Sequence, residues 1–477
     1  MKYDIGVYGL GVMGQNIALN FANHGFNVAV FNRYDVNEEK AVQKFMDKKC
    51  RNKTVTRFLN INDFVSSLKN PKKILMMITA GNAVDKVIEE TIQYLAKNDI
   101  LIDGGNSHYE DTKRRLDFLA SKQIRYLGCG ISGGSEGALK GPSIMVGGDV
   151  SAWNDTKEIL QAIAAKDRNN EYCCRWIGSE GSGHFVKMVH NGIEYSLMQI
   201  IAESYDMQKR MLNMQPDEIK KVYDDWNEAE GRSYLMKITA QIVTMTDKNG
   251  NYILDEILDS SSHKGTGKDT SIAALNLGVP APPLTASVNE RYISSLSDLR
   301  FCYSSKSVSE KELYAQIQTH LLRLKDAQYL AQIISYVNGL MIISEASDKF
   351  NWNINIQEVA KVWLNGCIIE SEILYKLVDI IEKQNTNNKN LLLSRQIIDC
   401  VNLKVENLRE TVLTAITHRI PIPVMSSVLS FLDSISSEVL PANLIQAQRD
   451  YFGQHGYQKK GMSDTMTFHL RNDNENI

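Results

Sequence analysis

Six residues near the start of the chain, Gly9-Leu10-Gly11-Val12-Met13-Gly14, restrict the fold more than any other stretch. They follow a short apolar run, residues 4–8, and precede Ile17, Ala18, Phe21 and Ala22, which recur at helical spacing. Gly25 ends that helix, and residues 27–31 form a second strand-like run. Strand, glycine turn, helix, strand is the context in which GxGxxG binds a dinucleotide. Gly9 permits the tight turn, Gly11 lets a pyrophosphate approach the backbone, and Gly14 lets helix and strand pack closely. The helix N-terminus then faces the phosphates. All six residues are candidate cofactor contacts. The second strand ends in Asn32-Arg33-Tyr34, where an NAD-binding unit usually carries Asp or Glu for the ribose 2′-hydroxyl. Arg33 instead suits two-point contact with a 2′-phosphate. The expected cofactor is NADP, with Asn32, Arg33 and Tyr34 among its contacts.

Further strand-like runs occur at residues 74–79, 100–103 and 126–129, separated by helical patterns at 84–95 and 111–121. This alternation predicts an α/β Rossmann-type domain with a parallel, doubly wound sheet. Ligands bind beyond the carboxyl ends of such strands. Two glycine-rich turns are expected there, residues 103–107 with Asn106 and residues 130–135 with Ser132, Gly133 and Gly134. Each could also be an ordinary loop. A helix at 152–165 and a strand near Trp176 close the domain, and residues 178–183 read as a flexible joint.

Beyond residue 181 helical patterns dominate, at 184–212, 216–227, 234–245, 310–348 and 356–365. Residues 218–223 resemble 358–363, a hint of a duplicated helical unit. The expected domains are 1–178, a large all-α domain over 179–440, and a C-terminal tail over 441–477. In the helix that opens the all-α half, Lys187, His190, Asn191 and Glu194 fall at i, i+3, i+4 and i+7. At about 100° per residue they share one face. That face offers an amine, an imidazole, an amide and a carboxylate over roughly 10 Å of rise, enough to serve both ends of a short substrate. A solvated stripe on an amphipathic helix is the alternative. Lys264-Gly265-Thr266-Gly267-Lys268 suits an anionic group, though it is no P-loop. Residues 449–457, with Arg449 and His455, are rich in side chains that bind.

Composition sets outer bounds. A chain of 477 residues is too long for one core. A net charge of -3 gives no drive toward nucleic acid or anionic membrane. The seven cysteines form no CxxC pair, which argues against a disulfide framework or a zinc site, and no other metal-ligand cluster stands out. No apolar run is long enough to span a membrane, and the glycine-broken start does not read as a signal peptide. A cytoplasmic protein with reduced thiols is expected.

Seven stretches together resemble one family, the decarboxylating 6-phosphogluconate dehydrogenases. They are residues 9–14, Asn32-Arg33, Ile102 to Ser107, Ser132-Gly133-Gly134, residues 183–195, residues 264–268 and residues 449–455. The resemblance implies NADP-dependent oxidative decarboxylation of 6-phosphogluconate in the pentose phosphate pathway. It implies Lys187 as the general base at the sugar 3-hydroxyl and Glu194 as the acid that protonates C1 of the enediol. Asn106, Ser132, Gly133, Gly134, His190 and Asn191 would hold the sugar acid, Asn106 also lying against the cofactor. Tyr195, Lys264, Thr266 and Arg291 would hold its phosphate. Arg449 and His455 would reach in from the partner of a homodimer whose tails are exchanged. The chain departs from the family pattern at Tyr34, Thr79 and Ser135, where threonine, lysine and glutamate are usual. Competing expectations are another β-hydroxyacid dehydrogenase acting on a small unphosphorylated acid, and a non-catalytic NADP-binding sensor.

Overall fold

The computed structural model describes residues 2–33, 36–50, 53–228, 230–262, 265–303, 316–383 and 390–467. The chain clusters into two compact units, Met1–Ser426 and Ser427–Ile477.

The first unit opens with eight strands: β1 (Ile5–Tyr8), β2 (Val28–Phe31), β3 (Val55–Phe58), β4 (Lys73–Met76), β5 (Ile100–Asp103), β6 (Arg125–Ser132), β7 (Ser143–Gly148) and β8 (Cys174–Gly178). They form one sheet in the order β3-β2-β1-β4-β5-β6-β7-β8. Alternate residues of the strands feed opposite faces. Ile5, Val7, Val28, Val30, Ile100 and Ile102 enter one buried cluster, while Tyr8, Ala29, Ile74, Met76 and Leu101 enter the other. Burial on both faces explains the nearly continuous apolar runs.

The sheet is not wholly parallel as the alternation predicts. β6 and β7 pair antiparallel, the other neighbours in parallel. Their connection is built on a seven-residue helix, Gly134–Lys140, shorter than the crossover of about a dozen residues that a parallel pair needs. β6 also runs on through Gly130, Ile131 and Ser132, so the expected turn at 130–135 begins only at Gly133. Gly133 and Gly134 take φ of 120° and 62°, which releases the chain into the short helix.

The expected flexible joint at 178–183 is instead a close contact. Gly183 lies inside the helix Ser182–Asp206. A methyl on Gly183 would stand 2.3 Å from Gly128 O and 2.5 Å from Gly147 N, and a methyl on Gly130 would stand 2.2 Å from Lys187 Cβ. These glycines let the helix lie directly on the backbone of β6 and β7. The helix is buried along most of its length, as befits one packed on all sides. Helices Thr266–Leu277, Pro282–Ser294 and Ile317–Phe350 pack around it. Where the sequence predicts one helix over 184–212, the α-helix ends at Asp206 and a π-helical turn, Met207–Met211, follows. The predicted 310–348 helix is found as Ile317–Phe350, with 310–315 outside the described residues. Helices Pro216–Asn227, Tyr234–Ile242 and Ile356–Val362 occupy their predicted places.

The second unit holds the end of helix Pro423–Ile435, helix Ala442–Gly453 and two paired two-residue strands, Tyr457–Gln458 and Thr465–Met466. Among the described residues no helix is long and apolar enough to cross a membrane.

Candidate active site

Turns after β1, β4, β5 and β6 line the carboxyl edge of the sheet. The strand order reverses between β1 and β4, the switch point where open α/β sheets hold ligands. The Gly9–Gly14 turn sits there. A methyl on Gly14 would stand 1.9 Å from Gly9 O, whereas nothing lies within 4 Å of one on Gly11. Gly14 is thus a packing glycine, and the space over Gly11 stays open. Helix Val12–Asn23 has no side-chain cap and no acidic residue in its first turn. Its N-terminal amides are left for an anion, and these residues fit a dinucleotide pyrophosphate.

At the end of β2, Asn32 Oδ1 accepts the Leu10 N–H at 2.8 Å and so pins the glycine turn to the neighbouring strand. Asn32 Nδ2 donates to Glu38 Oε2 at 2.9 Å. Arg33 Nη1 stands 3.8 Å from Glu90 Oε1, both side chains being about half exposed. Glu90 in turn accepts the Tyr8 hydroxyl at 3.1 Å. Tyr34 lies outside the described residues.

The polar stripe of the Ser182–Asp206 helix meets the end of β6. Lys187 Nζ donates to Asn191 Oδ1 at 2.8 Å and stands 3.3 Å from His190 Nδ1. His190 Nε2 lies 3.1 Å from Ser132 Oγ. Glu194 Oε2 is 3.9 Å from His190 Nδ1. Lys187 and His190 are buried and Glu194 is largely so, which replaces the solvated-stripe reading with an enclosed group of four. Burial pushes the Lys187 amine below the ordinary lysine range, against the opposing charges of Glu194 and Cys367. Burial, then the Lys187 charge, drives His190 well below the usual histidine range. It is therefore neutral. Its Nδ1 faces both the Lys187 amine and Asn191 Oδ1, the latter at 3.2 Å, and its Nε2 faces Ser132 Oγ. Burial raises Glu194, opposed by Lys187 and Arg291.

The helix Thr266–Leu277 closes the far side. Asn191 Nδ2 donates to Thr266 Oγ1 at 3.2 Å. The Arg291 guanidinium stacks 3.4 Å from the centre of the Tyr195 ring. A methyl on Gly267 would stand 2.5 Å from that ring, so the glycine is what lets the helix start beside Tyr195. Its N-cap, Gly265, makes no side-chain cap, which suits an anion at this helix start. Lys264 lies outside the described residues. Asn106 is exposed on the turn after β5. Arg449 and His455 belong to the second unit, where Arg449 Nη1 donates to Gln446 Oε1 at 3.3 Å and the His455 ring stands edge-on to Phe452.

Sequence reasoning missed a second buried polar group at this edge, formed by Asp103, Ser107, Thr112, Arg115, Tyr126 and His184. A signal existed. Thr112, Arg115 and Leu119 mark the buried face of helix Tyr109–Ser121, and an arginine on such a face needs an anion.

Residues 4–178 match the family model for the NAD binding domain of 6-phosphogluconate dehydrogenase, and residues 183–472 that for the 6-phosphogluconate dehydrogenase C-terminal domain. The chain is 43% identical over 459 residues to a Caenorhabditis elegans protein named 6-phosphogluconate dehydrogenase, decarboxylating, covering 95% of this chain and 94% of that one. It is 42% identical over 459 residues to the Escherichia coli (strain K12) protein of the same name, covering 96% and 97%. Plasmodium falciparum 6-phosphogluconate dehydrogenase has been solved in apo form, with NADP+ and with 6-phosphogluconate. It matches with a TM-score of 0.91 at 37% identity, over 97% of this chain and 99% of that one.

Proposed function

This chain belongs to the 6-phosphogluconate dehydrogenase family, and on that premise we propose that it converts 6-phospho-D-gluconate and NADP+ to D-ribulose 5-phosphate, CO2 and NADPH. The observation that carries this reading is the buried Lys187 amine, whose close partners, Asn191 and His190, are uncharged, with the raised Glu194 carboxyl farther along the same helix face.

When bound, NADP+ would supply the acceptor for the hydride that leaves C3. Lys187, whose burial favours the uncharged amine, takes the proton of the 3-hydroxyl. The ammonium so formed faces the new C3 carbonyl, polarises it as CO2 leaves, and returns the proton to the enolate oxygen. Glu194, whose burial favours the protonated carboxyl, delivers a proton to the carbon that becomes C1, while Lys187 recovers the enediol proton. Transfer from the Lys187 ammonium to the Glu194 carboxylate restores both. Ser132, Gly133, Gly134, His190, Asn191 and Asn106 hold the sugar acid in this reading. Thr266, Tyr195, Arg291 and Lys264 take its phosphate, supported by the uncapped helix N-terminus at Thr266. Gly9 to Gly14, Asn32, Arg33 and Tyr34 hold the cofactor.

We further infer a cytoplasmic homodimer in which Arg449 and His455 of the tail complete the partner's phosphate site, and domains divided at about residues 178 and 440. The family resemblance and the free cysteines support this part. The test is purified protein with 6-phosphogluconate and NADP+, following NADPH absorbance and CO2 release together. NADPH without CO2, or turnover of a small unphosphorylated hydroxy acid in its place, would redirect the assignment within the β-hydroxyacid dehydrogenases. NADP+ binding with no turnover would make the chain a sensor.

A further inference from the structure

The buried group missed in the sequence stands between the Asn106 turn and the Lys187 helix, and the chemistry above makes no use of it. Asp103 ends β5 and has no exposed surface. Its Oδ1 accepts the Gly105 N–H at 3.0 Å. Its Oδ2 accepts the Ser107 hydroxyl at 2.6 Å and the Tyr126 hydroxyl at 3.1 Å. One carboxylate thereby closes the turn that contains Asn106. Arg115, 1% exposed, stands 3.6 Å from the same Oδ2. It donates to Ser107 Oγ at 3.2 Å, to the Gly81 carbonyl at 3.0 Å, and through Nε and Nη2 to both oxygens of Asp85 at 2.9 Å. The guanidinium therefore ties the turn after β4 to the turn after β5.

The backbone of Asp103 serves the other side of the site. Its carbonyl oxygen lies 3.1 Å from His184 Nε2, and His184 Nδ1 lies 2.6 Å from Thr112 Oγ1. A carbonyl only accepts, so Nε2 carries the proton and donates it. In the neutral ring Nδ1 is then the acceptor that faces the Thr112 hydroxyl, which also lies 3.1 Å from the His108 carbonyl oxygen. His184 precedes Lys187 by three residues on the same helix, about one turn. The carboxylate of Asp103 thus holds the substrate-side turn, while its carbonyl holds the helix of the base.

A buried ionic group is a poor way to gain stability, since apolar packing of the same volume often does as well. What this one adds is fixed geometry across three elements. We propose that Asp103 is a positioning residue for the reaction, keeping the Asn106 turn and Lys187 at one separation through Thr112–His184 on one side and Ser107–Arg115 on the other. This rests on the proposed oxidation of 6-phosphogluconate. The demand is tight, because a misplacement of about 1 Å costs on the order of a hundredfold in rate.

Thr112→Val tests it. The change keeps the side-chain shape and deletes the hydroxyl opposite His184 Nδ1, whereas Thr112→Ser keeps that hydroxyl. Active sites are counted by NADP+ calorimetry. Per site, Thr112→Val should lose about tenfold or more in kcat, with the NADP+ Kd within about twofold of wild type. Its isotope effect on kcat with 3-deuterated 6-phosphogluconate should rise, because C–H cleavage becomes slower relative to product release. Thr112→Ser should restore kcat and isotope effect. Wild-type values for both in Thr112→Val overturn the proposal. So do equal losses in the two variants that track only the folded fraction. If Thr112→Val does not accumulate folded, Ser107→Ala is read by the same two measurements, and wild-type values there overturn it equally. A wild-type protein that fails to reduce NADP+ with 6-phosphogluconate refutes the proposed function instead, and that control is read first.

Discussion

Lys187 Nζ donates to Asn191 Oδ1 at 2.8 Å inside the protein. An amide oxygen orients the amine without compensating its charge as a nearby carboxylate would, so burial prevails and the pKa falls. Lys187→Arg places there a permanent cation of similar length that cannot accept a proton. Oxidation should fall by about a thousandfold or more, within the range for loss of a general base, while NADP+ still binds. Substantial turnover by a well-folded Lys187→Arg protein removes Lys187 from the base role.

Glu194→Gln should separate the last step from the first. The amide keeps the size of the side chain and gives up the transferable proton. Solvent deuterium uptake at C1 of ribulose 5-phosphate should slow by roughly a hundredfold, with NADP+ affinity nearly unchanged. Normal exchange in this variant argues for another acid.

The two shifts have a joint sign. The proposed mechanism needs Lys187 unprotonated and Glu194 protonated. Lowering one pKa and raising the other both enlarge the fraction of molecules in that state. The rate should fall in acid as Lys187 gains a proton and fall in alkali as Glu194 loses one. Glu194→Gln, though slow, should keep the acid limb of kcat/KM and lose the alkaline limb. Loss of the acid limb instead would reverse the assignments.

Arg33 is held by Glu90 at 3.8 Å in a pair that is about half exposed. A 2′-phosphate would have to take the guanidinium from that carboxylate. Exposed pairs of this kind are worth about 1 kcal/mol at most, so Glu90→Gln should tighten NADP+ binding by a few-fold. Arg33→Glu should weaken NADP+ far more than NAD+. Fluorescence titration with both cofactors checks this, and an unchanged preference in Arg33→Glu would place the 2′-phosphate elsewhere.

Farther along the Lys187 helix, buried Glu203 accepts the N–H groups of Val424 at 2.8 Å and Met425 at 3.0 Å. Burial pushes its carboxyl up to about 8, the two N–H bonds opposing and the Glu290 charge adding. An acid whose folded pKa is raised binds more protons folded than unfolded, so its stability contribution falls as pH rises toward about 8. Glu203→Gln does not titrate. The Tm of wild type minus that of Glu203→Gln should therefore be largest in mild acid, shrink up to about pH 8 and level off above it. A difference independent of pH would show Glu203 ionised throughout.

Much of this site was legible because its chemistry repeats along single elements. The glycine turn at 9–14 is one loop, and Lys187, His190, Asn191 and Glu194 share one helix face, so spacing alone groups them. What spacing hid was close approach between elements. Gly130 reads as part of a turn, and β7 with its Gly147 escapes notice, because a strand glycine that seats a helix looks like a turn glycine in sequence. Strand β3 was missed because Thr56 and Arg57 interrupt its apolar ends. The partners of Arg115, namely Asp85, Ser107 and Asp103, are joined to it only by the fold.

At Gly183 the helix backbone meets the backbone of Gly128 and Gly147, and at Gly130 the backbone of the sheet meets the Cβ of Lys187. Mechanically, the base is bolted to the same plate as the cofactor turns, and only the torsions of its own side chain lie between its nitrogen and that plate. A tilt of the sheet carries amine and cofactor edge together and does not change their spacing. In the proposed reaction the compliance needed to admit a sugar acid and release a smaller sugar would fall to the opposite wall, helices Thr266–Leu277 and Pro282–Ser294, which carry the residues proposed for the phosphate.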